Sequence, residues 1–316
     1  MTRSANAAGS SQVGTGIILM LLSVILSPLI DIFSKLAVET VSAGQITAGR
    51  FVVQAACMLP FVVARRRHLT LFTRQTFYHA IRGGLIAISM ISFVTTLKYM
   101  AVADAIAIFF VEPIFLTILS SIFLKETIGW RRYTACAIGF GGALLIIQPS
   151  FQEVGAVAIL PVITALVIAI YAMMTRALSK REDPWIMQFQ TAIWGLAIVV
   201  VMLFMARDSG NDILTTIMPE GKSLLYMAGV GAMAALAGIL GVYAYRAAPA
   251  ATLAPLQYFE IVSATAVAWW VFGDFPDALK WAGIAIIMAS GFYIIWRERR
   301  LNSRPVSDVP QASAAP

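Results

Sequence analysis

Two glutamates, Glu112 and Glu260, lie within long apolar runs of this sequence. An ionised carboxylate in the middle of a membrane helix costs about 2.5–3.5 kcal/mol on insertion scales, so such a side chain should face protein or water rather than lipid. Each glutamate has a proline nearby, Pro113 and Pro255, and a proline inside a helix frees backbone groups that lipid cannot satisfy. This pattern favours the wall of a polar cavity with protonatable carboxyl groups. The alternative is a structural glutamate paired with a cation such as Arg50.

Polar side chains at helical spacing form two stripes early in the chain. Members of each stripe are three or four residues apart, so each stripe lies on one helix face. The stripes consist of Ser23, Ser27, Asp31 and Lys35, and of Thr47, Arg50 and Gln54. We interpret them as a polar tunnel wall in which Arg50 contacts a bound molecule or Glu112. The alternatives are an interfacial ion pair between Asp31 and Lys35, and an Arg50 side chain that extends to the membrane surface.

Four more side chains are candidates for the same cavity. Gln190 and Trp194 correspond to Arg50 and Gln54 at an offset of 140 residues. Trp194, Tyr99 and Tyr258 are aromatic and can stack on a planar ligand. Neither histidine has a partner at metal-ligand spacing, and no phosphate-binding loop or nucleophile motif is present. The sequence therefore predicts a binding site without a metal, a cofactor or catalytic residues.

The elements that must position these residues are membrane helices. Of the 316 residues, 59% are hydrophobic and 12% are charged, and the mean hydropathy is +0.82. Soluble domains carry about 25% charged residues, so soluble and disordered proteins are both excluded. At about 20 residues per span, the sequence predicts an all-α polytopic membrane protein with ten transmembrane helices. The predicted spans are 14–36, 42–64, 77–97, 103–124, 131–148, 154–176, 184–206, 222–245, 249–272 and 278–297.

Lysine and arginine are distributed unevenly between alternate loops. With the N-terminus inside, 17 of the 23 basic residues lie on the cytoplasmic side, Arg82 among them. Five lie on the opposite side, and Arg50 lies within the second span. Because cytoplasmic loops are rich in Lys and Arg, both termini are predicted to be cytoplasmic. The basic residues are spread over six segments rather than one patch, which excludes nucleic-acid binding.

Sparse matches indicate that the chain repeats itself. Glu112 and Glu260 correspond at an offset of 148 residues, as do Leu124-Lys125-Glu126 and Phe272-Gly273-Asp274. Each unit has five spans, and this odd number inverts the second copy relative to the first. The predicted organisation is a cytoplasmic tail (1–13), a first five-helix repeat (14–148), an inverted second repeat (154–297) and a disordered cytoplasmic tail (298–316). Inverted repeats are typical of secondary transporters, which bind substrate near the membrane midplane.

Two short motifs accompany the five-plus-five spans, Phe-Leu-Lys-Glu at 123–126 and Gly-Phe-Gly-Gly-Ala at 139–143. Together these features resemble the drug/metabolite transporter superfamily, EamA type. Asp274 departs from the pattern, because the family more often has Glu there. The resemblance implies a multi-pass protein of the bacterial inner membrane. It also implies that spans one to four and six to nine surround the substrate, whereas spans five and ten are peripheral.

The resemblance implies that a small organic metabolite is transported. Residues 108–151 are similar to the bacterial riboflavin-transporter subgroup, so riboflavin uptake is the leading expectation. The same superfamily also exports amino acids or other metabolites and carries S-adenosylmethionine, so these functions are the alternatives. An intramembrane enzyme or a channel is the alternative from another class. The expected partners are the substrate and the lipid bilayer, together with proton coupling.

Overall fold

The computed structural model describes residues 2–64, 74–99, 105, 108–125, 129–147, 159–207, 210, 212–272 and 278–302. Helices are the regular elements of this described part, and every predicted span overlaps at least one. The ten longer helices are α1 (Thr2–Val38), α2 (Ala43–Ala64), α3 (Arg74–Tyr99), α4 (Glu112–Phe123), α5 (Trp130–Ile147), α6 (Ile159–Ser179), α7 (Pro184–Met205), α8 (Gly221–Ala247), α9 (Phe259–Phe272) and α10 (Ala278–Asn302). A short helix (Ala250–Leu253) and a 3₁₀ turn (Ala254–Tyr258) precede α9. The predicted all-helical class is confirmed.

Six helices are long and apolar enough to cross a membrane. They are α1 from Gln12 onward, α2, α3 from Gln75 onward, α6, α7 and α8. Shorter apolar helices span Glu112–Phe123, which is α4, and Trp281–Ser290 within α10. These helices identify a multi-pass membrane protein. The arrangement of ten spans as two inverted repeats stays a prediction.

The two ends of the chain differ from the expected tails. The first helix begins at Thr2, so residues 2–13 continue it. This stretch contains no proline and has three alanines, which favour helix. The last helix continues to Asn302. Outside the described residues lie 303–316 of the predicted disordered tail and, from the motifs above, Glu126, Gly273 and Asp274.

Glycines allow neighbouring helices to approach closely. Gly83 of α3 faces the backbone of α7 at Gly195. A Cβ atom at Gly142 of α5 would lie 3.0 Å from the carbonyl oxygen of Gly283 in α10. Small residues permit such contacts between membrane helices, where packing rather than the hydrophobic effect drives association. The helices α5 and α10 pack against each other in this way.

Two helices begin at the glutamates. Glu112 is the first residue of α4, and Glu260 is the second residue of α9. Pro113 lies in the first turn of α4, and Pro255 lies in the first turn of the 3₁₀ segment before α9. Pro113 stands in the first turn of α4, where its missing N–H leaves no intrahelical hydrogen bond unmade. Pro255 lies between the short helix Ala250–Leu253 and α9, so it separates two helical segments. The positive end of the helix dipole also favours a carboxylate in the first turn.

Candidate functional site

Two adjoining cavities lie between the helices. The Asp31 cavity, named after the aspartate in its wall, has a volume of about 140 Å³. The Glu112 cavity, named in the same way, has a volume of about 230 Å³. Ser27, Arg50 and Glu260 line both. The lining comes from α1–α4, α6–α9 and the segments before α4 and α9, whereas no described residue of α5 or α10 contributes.

Glu112 is the most deeply buried carboxyl group of the lining, with 2% of its surface exposed. Its side chain lies beside that of Gln257, which follows Pro255 in the 3₁₀ turn. The Gln257 Nε2 donates to the hydroxyl of Tyr245, 3.4 Å away. Glu112 Oε1 has no hydrogen-bond partner within the described chain. A buried oxygen without a partner has a free acceptor position for a proton or a ligand donor.

The guanidinium of Arg50 faces the region shared by the two cavities. Its Nη1 lies 3.5 Å from the sulfur of Met90, and its Cζ lies 5.9 Å from the centre of the Phe51 ring. Arg50 Nε is buried and has no hydrogen-bond partner among the described residues. Asp31 and Glu260 line the Asp31 cavity together with Arg50. The Asp31 cavity therefore presents two carboxyl groups and one guanidinium group to a ligand.

Neither ion pair considered from the sequence forms in the described part of the chain. No carboxylate oxygen of Glu112 or Asp31 lies within 4 Å of a nitrogen atom of Arg50, whereas His79 pairs with Glu182 and Lys98 with Asp212. Lys35 instead donates to the carbonyl oxygen of Leu97 at 3.2 Å. The carboxyl groups and the arginine of the cavity are thus available to a ligand.

The structure brings some of the predicted site residues together and separates others. Glu112, Glu260, Arg50, Gln54 and Asp31 line the cavities. The other four are not among the lining residues: Gln190, Trp194, Tyr258 and Tyr99.

Each of those four side chains has another environment. Gln190 is buried within the helix bundle, and Trp194 is partly buried. Tyr258 is buried in an apolar cluster, with its ring centre 5.9 Å from that of Phe110. Tyr99 has 62% of its surface exposed because it is the last residue of α3. Helical spacing predicts a shared face within one helix, but not the rotation of α7 or the end of α3 relative to the cavity.

Several lining residues were not predicted from the sequence. On α6 they follow one stripe, and α7 adds a glutamine and a threonine. These are Thr164, Ile168, Tyr171 and Thr175, and then Gln188 and Thr191. The spacing of four, three and four residues on α6 is the same signal that identified the stripe on α1, so it was available in the sequence. Phe93 and Phe109 were also missed, and they form an aromatic wall of the Asp31 cavity together with Phe110, which the sequence had indicated as a residue that could stack on a planar ligand.

Two residues near the start of α3 differ from the loop environment expected for them. Arg82, counted above as a cytoplasmic basic residue, is fully buried. His79, one turn earlier, is 1% exposed, and its Nε2 lies 2.6 Å from Glu182 Oε2. This pair joins α3 to the turn between α6 and α7. Among the described residues, no group of three or more His, Cys, Asp or Glu could hold a metal ion.

The family and the curated relatives that this chain resembles are all described as transporters. A family model described as "EamA-like transporter family" matches residues 14–148 and 155–296. An S-adenosylmethionine uptake transporter of Rickettsia bellii is 28% identical, over 92% of this chain and 97% of its own. Riboflavin transporters of Rhizobium johnstonii and Vibrio cholerae are 29% and 28% identical, over 78% and 81% of this chain and 79% and 83% of theirs. A protein of known crystal structure, 16% identical, shares the fold with a TM-score of 0.76 over 91% of this chain and 99% of its own.

Proposed function

We propose that this chain, which belongs to the EamA-like transporter family, carries a zwitterionic metabolite of the S-adenosylmethionine class through the Asp31 and Glu112 cavities. The class of metabolite transporter follows from the family and from the relatives named above. The substrate is our inference. It rests on one observation, that Asp31, Glu112 and Glu260 line the cavities with a single arginine, Arg50.

The chemistry of S-adenosylmethionine matches this lining. The molecule carries a sulfonium and an ammonium group, one carboxylate and a planar adenine. Carboxylates in a membrane interior compensate a cation that would otherwise be costly there. Arg50 offers a planar fork of donors to the carboxylate. The ring of Phe109 lies 5.7 Å from Phe93, which makes an aromatic wall for the adenine.

Riboflavin is the second candidate. The aromatic wall suits its flavin ring as well as it suits adenine, and two of the relatives are named riboflavin transporters. Riboflavin is neutral, however, and gives the three carboxyl groups no cation to compensate. The excess of carboxyl groups therefore favours S-adenosylmethionine.

The proposal includes the course of transport. Glu112 takes up the coupling proton, because its Oε1 is buried without a hydrogen-bond partner in the described chain.

The proposed topology is that the ten helices form two inverted repeats in the bacterial inner membrane, and both termini are cytoplasmic. Reporter fusions at residue 316 and near Gly210 test this topology. We expect them to report opposite sides, and the same side at both positions would refute the predicted number of spans.

Uptake into proteoliposomes tests the substrate. Vesicles containing the purified protein receive labelled S-adenosylmethionine or labelled riboflavin, each with and without an internal pool of the same compound. We expect saturable uptake of S-adenosylmethionine that the internal pool accelerates, as counterflow requires, and weak competition by riboflavin. Saturable uptake of riboflavin but not of S-adenosylmethionine would identify riboflavin as the substrate. Unsaturable flux of both compounds would indicate a channel.

A further inference from the structure

Arg82 has an environment that the proposed function does not yet explain. It lies in α3 with none of its surface exposed. Its Nη1 donates to Thr191 Oγ1 at 2.9 Å, and its Nη2 donates to Tyr171 Oη and Thr175 Oγ1, each at 3.1 Å. Its Cζ also lies 4.8 Å from the centre of the Tyr171 ring. Its Nη1 also donates to the carbonyl oxygen of Met187 at 3.4 Å, so the side chain joins α3 to α6 and α7 through neutral oxygen atoms.

Arg82 forms no ion pair with a described residue, because no carboxylate oxygen there lies within 4 Å of its nitrogen atoms. Arg82 Nε has no hydrogen-bond partner among the described residues. A buried cation is normally paired with an anion, because neutral partners compensate only part of the lost hydration. An anion that binds transiently beside the guanidinium would supply the missing counter-charge.

The hydroxyl groups that hold Arg82 also face the transport cavity. Tyr171, Thr175 and Thr191 all line the Glu112 cavity, so one layer of side chains separates the guanidinium from that space. Hydroxyl groups rotate and exchange partners readily, since each can donate or accept. A carboxylate at this wall can therefore replace one or two of them on the guanidinium, in the bidentate geometry that Arg favours.

Arg50 and Arg82 lie against different parts of the space. Arg50 lines the region shared with the Asp31 cavity, whereas the hydroxyl partners of Arg82 line the Glu112 cavity alone. Glu112 and Glu260 lie in the lining with them. We infer that Arg82 is a second binding position for the carboxylate of the transported metabolite, to which the carboxylate passes from Arg50 as the molecule crosses. This inference rests on the proposed function, because it requires a substrate that carries a carboxylate.

Transport of two related compounds by one vesicle preparation tests the inference. The probes are labelled S-adenosylmethionine and its decarboxylated form, which keeps the sulfonium, the amine and the adenine. Arg82→Gln should lower the maximal rate for S-adenosylmethionine about tenfold relative to the decarboxylated compound, the factor that corresponds to one lost charge-assisted contact. Its KM should stay near that of the wild type, because Arg50 supplies the first contact. The ratio of the two rates does not depend on how much folded protein the vesicles contain.

Two further variants separate this binding role from a structural one. Arg82→Lys keeps the charge without the planar fork, and its rate ratio should lie between those of the wild type and Arg82→Gln. It also provides the comparison if Arg82→Gln does not reach the membrane. Arg176→Gln is the matched control, because Arg176 is also a buried arginine. Its Nη1 donates a hydrogen bond to the carbonyl oxygen of Tyr245, at a distance of 2.6 Å. Its rate ratio should equal that of the wild type.

The outcomes distinguish this inference from the proposed function. If Arg82→Gln and Arg82→Lys lower both rates by the same factor, Arg82 only holds α3 to α6 and α7, and the inference is overturned. If the wild-type protein carries neither compound, the proposed substrate class fails. Wild-type transport of S-adenosylmethionine with an unchanged ratio in the Arg82 variants overturns the inference and leaves the proposed function standing.

Discussion

Replacement of Gly83 by alanine should destabilise the helix bundle at the contact between α3 and α7. A Cβ atom at Gly83 would lie 2.5 Å from the amide nitrogen of Gly195 and 2.8 Å from the carbonyl oxygen of Thr191. Both are backbone atoms, so no side-chain rotation relieves the clash and the helices must separate. Overpacking costs about 1–3 kcal/mol in well-packed cores. Because these atoms are rigid, we expect a loss of about 2–3 kcal/mol in the free energy of unfolding.

Gly84→Ala is the matched control, since it adds the same methyl group one residue along the same helix. Among the described residues of other helices, a Cβ at Gly84 would have one neighbour within 4 Å, the Cδ1 of Ile198 at 3.4 Å, which is an ordinary contact. Its effect should stay within about 1 kcal/mol, the gain in helix propensity from glycine to alanine. Thermal unfolding of both purified variants in the same detergent measures the difference. Equal stability of Gly83→Ala and Gly84→Ala would refute the close approach of α3 to α7.

Three other predictions, which concern four substitutions, have definite expected results. Glu112→Gln and Glu260→Gln should keep the protein folded and lower uptake, more strongly at Glu112, and stability and uptake are measured on the same samples. A loss of about 3–5 kcal/mol in stability would instead indicate a buried ion pair with Arg50, and wild-type uptake at all pH values would exclude a cavity role. Glu182→Gln weakens the contact with His79 and should cost about 1.5–3 kcal/mol in thermal unfolding, whereas the exposed Glu220→Gln control should change it by less than about 0.5 kcal/mol. Tyr99→Ala should transport at the wild-type rate because the side chain lies outside the lining, and a large loss of uptake would contradict that position.

The sequence was sufficient to predict features that depend on one helix at a time. Apolar runs of about 20 residues locate the helices, because the length of a span is set by the membrane. Helical spacing places Ser27 and Asp31 on one face of α1, and Arg50 and Gln54 on one face of α2, and these four residues line the cavities. The same spacing on α6 would have identified Tyr171 and Thr175.

Features that depend on how helices meet were not predictable from the sequence. Gln190 is buried between helices and does not line the cavity, whereas its neighbours on α7, Gln188 and Thr191, do. The rotation of α7 that decides between them is set by contacts such as Gly83 with Gly195. Arg82 shows the same limit. Its position near the end of a span suggests a loop residue, but α6 and α7 bury it.

Binding of labelled S-adenosylmethionine to purified protein, with the cavity filled by mutation, tests the central claim most directly. Ser27 lines both cavities, so Ser27→Trp places a large ring in the space that the ligand needs. Ile18→Trp is the control, because Ile18 is on the same helix and 59% exposed. We predict saturable binding by the wild type and by Ile18→Trp, and loss of binding by Ser27→Trp protein that unfolds at the same temperature as the control. Unchanged affinity in Ser27→Trp would contradict the assignment of these cavities as the substrate site.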